Sequence, residues 1–130
     1  MSRLLTLIAL GICYFNSPLA TAQSSFTGNS LLTKCLEATK ILNSPSDRPS
    51  GANVAEAYQC SAFVTGIRVG LVVGSTWERN RMALPCVPNN VPDSQLIRVV
   101  LAWLNSNPQE LHQPAGVLVA VALRDAFSCK

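Results

Sequence analysis

The chain has 130 residues, of which 48% are hydrophobic and only 13% charged, with a net charge of +3. That length suits one domain and not two. Low charge of mixed sign excludes a nucleic-acid-binding tail, a charged coiled coil and a disordered acidic segment, and it gives no grip on DNA, RNA or anionic lipid.

The first element is a targeting signal. Arg3 supplies a positive start, residues 4–15 form an apolar run, and Pro18 breaks it. Ala20-Thr-Ala22 then gives the small-x-small pattern of a cleavage site. The run is too short for a membrane anchor. Ile12 before Cys13 is too large for lipoprotein processing. Cleavage after Ala22 is therefore expected, leaving residues 23–130 as a single exported domain with no membrane attachment and a net charge of +2.

Cys13 leaves with the signal. Cys35, Cys60, Cys86 and Cys129 remain, spaced by 25, 26 and 43 residues. An even count in a small exported domain reads as two disulfides. Zinc would need close cysteine pairs, and His112 is the one histidine, so no metal or other cofactor is expected.

Leu31, Leu32, Cys35, Leu36, Ile41 and Leu42 repeat in steps of three and four, which predicts a helix capped by Asn29 or Ser30. Residues 43–51 read as a loop, because two prolines and a glycine crowd it. Asn53-Val-Ala-Glu56 is a capping-box pattern opening a long helix over 54–73. Ala62, Gly66, Gly70 and Gly74 lie four apart and lay a strip of missing side chains along one helix face. Arg68 argues against a membrane helix, so the strip predicts close packing inside the domain. Gly74-Ser75 should end the helix.

Residues 76–90 read as irregular. A third helix is predicted from Pro92-Asp93, with Leu96, Val100, Trp103 and Leu104 on its inner face. Asn107 should cap one turn at 108–111. The last helix is predicted over 115–127, with Leu118, Val121, Ala122 and Leu123 facing inward. The expectation is all-α: a compact bundle of four to five helices. Cys35 and Cys60 stand about eight residues on either side of the first loop, at one level of a helical hairpin. That pairs Cys35 with Cys60 and leaves Cys86 for Cys129.

Catalytic patterns are missing. His112 has no nucleophile beside it, and cysteines held in disulfides offer no thiolate. The carboxylates form no spaced acid–base pair. Ser61 and Ser94 lack a nucleophile-elbow setting. The segment richest in binding-type residues is 75–84, with Trp77, Glu78, Arg79, Arg81 and Met82 close together; Trp and Arg dominate binding hot spots. A general periplasmic binding or chaperone-like role is the alternative. It would need surface charge clusters that respond to pH, and seven carboxylates are few for that.

An ordered set of segments carries a resemblance. It runs from Gly28-Asn-Ser-Leu-Leu32 and Cys35 through Ala57-Tyr-Gln-Cys60 and Phe63-Val-Thr-Gly-Ile67 to Leu84-Pro-Cys-Val-Pro88. It continues in Gln95-Leu-Ile-Arg-Val-Val-Leu-Ala-Trp-Leu104, Asn107-Pro-Gln-Glu-Leu-His-Gln-Pro-Ala115 and Ala122-Leu-Arg-Asp-Ala-Phe-Ser-Cys129. With these the chain resembles the Rap/Tai immunity proteins, which protect bacteria against peptidoglycan amidase effectors of the type VI secretion system. The resemblance implies a helical, non-enzymatic periplasmic inhibitor, often a homodimer, that blocks the Cys–His cleft of a papain-like amidase. Ser128 stands where the family pattern has proline, and the 75–91 loop is poorly patterned outside Leu84-Pro-Cys-Val-Pro88, so no contact residue carries over.

Overall fold

The computed structural model describes residues 26–43, 51–77 and 84–129, with side chains of 54–74 in the middle stretch. Residues 1–25, which include the expected signal, and residues 44–50, 78–83 and 130 lie outside the described residues. Among the described residues there are four α-helices: α1 (Gly28–Asn43), α2 (Gly51–Trp77), α3 (Asp93–Ser106) and α4 (Ala115–Ala126). A 3-10 turn at Pro108–Glu110 joins α3 to α4. Among the described residues the only extended pairing is an isolated bridge between Thr27 and Pro114.

One core joins all four helices, and each contributes a single stripe. Leu31, Cys35 and Ala38 come from α1, and Ala57, Cys60 and Val64 from α2. Leu96, Ile97, Val100 and Leu104 come from α3, and Ala115, Leu118, Val119, Ala122 and Leu123 from α4. The steps of three and four within each set are the helical period, so each helix buries one face. Val91 and Leu111 close the ends of the core.

Two disulfides staple the bundle as the spacing predicts. Cys35 bonds Cys60 with Cα atoms 5.1 Å apart, and Cys86 bonds Cys129 at 5.0 Å. The first bond lies wholly inside the core, since both of its cysteines are 0% exposed. The second is on the surface, with both cysteines exposed.

The chain enters α1 through contacts to the α3–α4 connection. The backbone N–H groups of Gly28 and Asn29 donate to the carbonyls of Gln113 and Leu111, both at 3.0 Å, and Ala115 N–H donates to Phe26 at 3.0 Å. Gly28 is needed here. A Cβ at this position would collide with Leu118 and come within 2.9 Å of the Leu111 Cα.

Several helix limits differ from expectation. Helix α1 starts at Gly28, so Asn29 and Ser30 lie inside it and neither is a cap. The Asn29 side-chain amide instead donates to the Leu111 carbonyl at 3.2 Å. Helix α2 starts at Gly51, placing Asn53 in its first turn and not before it, and it runs on to Trp77 through Gly74-Ser75. Asn107 does precede the 3-10 turn, but it makes no capping bond there. Its side chain donates back to the Trp103 carbonyl at 2.8 Å.

The glycine strip is the largest correction. A Cβ added to Gly66, Gly70 or Gly74 would meet nothing within 4 Å. Ala62, Gly66 and Gly70 are exposed. Close helix approach within the chain occurs elsewhere, at Gly116 of α4, where an added Cβ would touch Ile67 at 3.4 Å and Phe63 at 3.9 Å. Spacing shows which residues share a face; it does not show which face turns inward.

Candidate partner-binding surface

Helix α2 is apolar on both sides, and the two sides have different neighbours. Ala57, Cys60 and Val64 face the core. The opposite side presents Tyr58, 71% exposed, and Val69, 55% exposed, with Gln59, Ala62, Gly66 and Gly70 also exposed. Positions 58, 62, 66, 69 and 70 follow the helical repeat and form one stripe. After Val64 no described side chain of α2 is buried. A monomer rarely exposes a continuous apolar strip without use.

The stretch Val54–Gly74, with mean hydropathy 1.2, is long and apolar enough to cross a membrane. Its position argues otherwise. Cys60 is covalently tied to α1, and Arg68 in its middle is held by the chain itself. The Arg68 guanidinium donates to the carbonyls of Val91 at 3.2 Å and Pro88 at 3.3 Å. Asp93 lies 3.8 Å from it. Arg68 thereby fixes residues 88–93 to the flank of α2, and its charge is turned away from the apolar stripe.

At the N-terminal end of the stripe, Phe26, Gln59, Ala62 and Phe63 line a shallow apolar recess of about 430 Å³. The rings of Phe26 and Phe63 meet there, centroids 4.7 Å apart and tilted 60°. This tilted geometry suits the quadrupoles of two aromatic rings. At the other end α2 finishes at Trp77. The side chain of Trp77, and all of Glu78, Arg79, Arg81 and Met82, lie outside the described residues. The structure therefore neither assembles nor separates the five residues selected from sequence.

Among the described residues the ion pairs are separate from one another. Lys40 pairs with Glu37, and Arg124 with Asp125. His112 is exposed, with Nδ1 2.9 Å from the Gln109 carbonyl. Among the described residues no three of His, Cys, Asp and Glu gather where they could hold a metal. All four described cysteines are in disulfides and offer no thiolate.

Trp103 meets its inner-face expectation only in part: it is half-buried and packs against the core, while its indole N–H donates to the Asp125 carboxylate at 3.0 Å. The polar edge of the ring keeps it at the surface, where it links α3 to α4.

The sequence strip of Ala62, Gly66 and Gly70 lies on this exposed stripe but omits Tyr58 and Val69, and it was expected to pack inside the domain. Both the core-facing and the solvent-facing stripes of α2 are apolar, so hydrophobic periodicity does not distinguish them. A weak signal was available in Gln59 and Tyr58, whose polar ends fit an exposed edge.

No curated protein matches the chain at a significant level. A family model described as Rap1a immunity proteins matches residues 27–129, which spans all four helices and both disulfides. The chain therefore belongs to the Rap1a immunity protein family, which implies an immunity function against a cognate effector that it binds.

Proposed function

We infer that this protein is an exported immunity protein of the periplasm that binds and inhibits a peptidoglycan amidase effector of a type VI secretion system. Cleavage after Ala22 delivers residues 23–130 to the compartment where such an effector acts. The observation that carries this reading is the family match over residues 27–129. The apolar outer stripe of α2 supports it by supplying a surface for a protein partner.

Size indicates how much surface the effector must cover. From Tyr58 to Gly70 the stripe is about 18 Å long and a helix about 10 Å wide, a projected patch of roughly 180 Å². A stable complex buries about 800 Å² on each partner. The stripe alone is too small. The effector therefore also engages the recess at Phe26 and Phe63 and the segment Trp77, Glu78, Arg79, Arg81 and Met82, which comes next in the sequence. Inhibition follows from occlusion of the amidase cleft and needs no chemistry from this chain.

The test is protection in the cell. Bacteria directing the amidase to their own periplasm survive when they also make this protein with its signal, and lyse when the signal is deleted. Lysis in both cases would refute the reading.

A further inference from the structure

The two disulfides differ in one respect that decides their chemistry. Cys35–Cys60 is sealed between α1 and α2 at 0% exposure, whereas Cys86 and Cys129 are both exposed. We propose that Cys86–Cys129 is a redox-responsive tether that opens while the core disulfide and the bundle stay intact.

Reduction requires a thiolate to reach a disulfide sulfur. A dithiol reductant meets the outer bond at the surface. One of its thiolates attacks the Sγ of Cys86 or Cys129, forming a mixed disulfide and releasing the other cysteine as a thiolate, which takes up a proton. The second reductant sulfur, losing its own proton, then displaces the remaining cysteine, which leaves as a thiol. Two electrons pass from the dithiol to the protein disulfide, and the reductant departs as its own disulfide. The same attack on Cys35–Cys60 needs α1 and α2 to separate first, an opening that approaches global unfolding.

The structure also limits what is released. Beside the bond, Cys86 N–H donates to the Phe127 carbonyl at 2.8 Å. The Cys129 sulfur rests 3.4 Å from the Leu84 carbonyl, a contact and not a hydrogen bond while the sulfur is in the disulfide. Further along, Arg68 holds Pro88 and Val91 to α2. At the other end, Phe127 N–H donates to the Leu123 carbonyl at 2.9 Å and completes α4. Opening the bond therefore frees residues 84–86 and 128–129, while Val87 stays packed against the core, and the Arg68 clamp and the end of α4 stop the release from spreading. The surface at this end of the molecule becomes adjustable by the thiol poise of its surroundings.

The test uses the oxidised chain of residues 23–130, treated with graded dithiothreitol without denaturant, quenched with iodoacetamide and read by peptide mass spectrometry. Cys86 and Cys129 are expected to label at least about tenfold faster than Cys35 and Cys60, in line with their access. At that stage hydrogen exchange should accelerate at the Cys86 amide and remain slow in α1 and α3. Labelling of all four cysteines together would overturn the proposal, as would labelling of the outer pair only on global unfolding. The double variant Cys86→Ser, Cys129→Ser should fold, keep the Cys35–Cys60 bond and reproduce the exchange pattern of the reduced form. A double variant that does not fold would overturn it too. None of these readouts involves an effector, so the proposed inhibition can fail without affecting this result.

Discussion

Arg68, in the middle of an apolar helix, donates to the backbone carbonyl of Val91 at 3.2 Å. The side chain is only 18% exposed, and the Val91 residue it serves is buried. Arg68→Met keeps the aliphatic bulk and removes both donors. It should destabilise the domain by about 1–2 kcal/mol, the cost of hydrogen bonds from a charged donor with partial water replacement. The Asp93 pair adds little, because Asp93 is half exposed and 3.8 Å away. Urea unfolding of the variant against the parent checks this.

The glycines separate into two groups with opposite predicted signs. Gly28→Ala forces a methyl group against Leu118 and against the Leu111 backbone, which has little freedom to yield. It should cost about 1–3 kcal/mol, as overpacking does. Gly66→Ala and Gly70→Ala place a methyl group in open space within a helix. Each should stabilise by about 0.5–1 kcal/mol through lower unfolded-state entropy and higher helix propensity. Thermal melts of the three single variants decide it. A loss at Gly66 or Gly70 equal to that at Gly28 would mean the strip packs against something.

The indole of Trp103 and the carboxylate of Asp125 join α3 to α4. Asp125→Ala should cost about 0.5–1.5 kcal/mol, because the bond is partly exposed and water can replace the acceptor. The tryptophan emission should shift to longer wavelength as the ring loosens. Unchanged stability and emission would show that the contact does not hold the helices.

Much of this fold was legible in the sequence, for local reasons. Cys35 and Cys60 stand at equal distances from one loop, and a helical hairpin converts equal distance into contact. Leu96, Val100 and Leu104 keep a single period, and all three are buried. What was not legible depends on contacts between distant segments. Asn29 has a capping side chain, but Leu111, 82 residues away, takes its amide. Gly28 looks like an ordinary glycine until Leu118 arrives beside it. Helix α2 is apolar on two opposite sides, so its pattern could not show that Val64 faces in and Val69 faces out. The segment Trp77 to Met82 was selected on residue type alone, and residue type carries no geometry.

The outer face of α2 gives the sharpest mutational contrast. Val69→Asp and Gly70→Arg put charge on exposed positions; the first should leave stability within about 0.5 kcal/mol of the parent, as surface changes usually do, and the second should share the stabilisation of Gly70→Ala. Affinity for the amidase effector should nevertheless fall at least about tenfold, since a charge facing an apolar contact loses its water. Trp77→Ala and Arg79→Glu should weaken binding comparably. Calorimetric titration of each variant measures this. Full affinity in the α2 variants would remove that face from the interface.

The most direct measurement is peptidoglycan digestion by the purified amidase effector as the oxidised 23–130 chain is titrated in. The account predicts that muropeptide release falls to zero at one binding equivalent and that the inhibitor is recovered uncleaved and unmodified. Undiminished release at a large excess of the chain would contradict it.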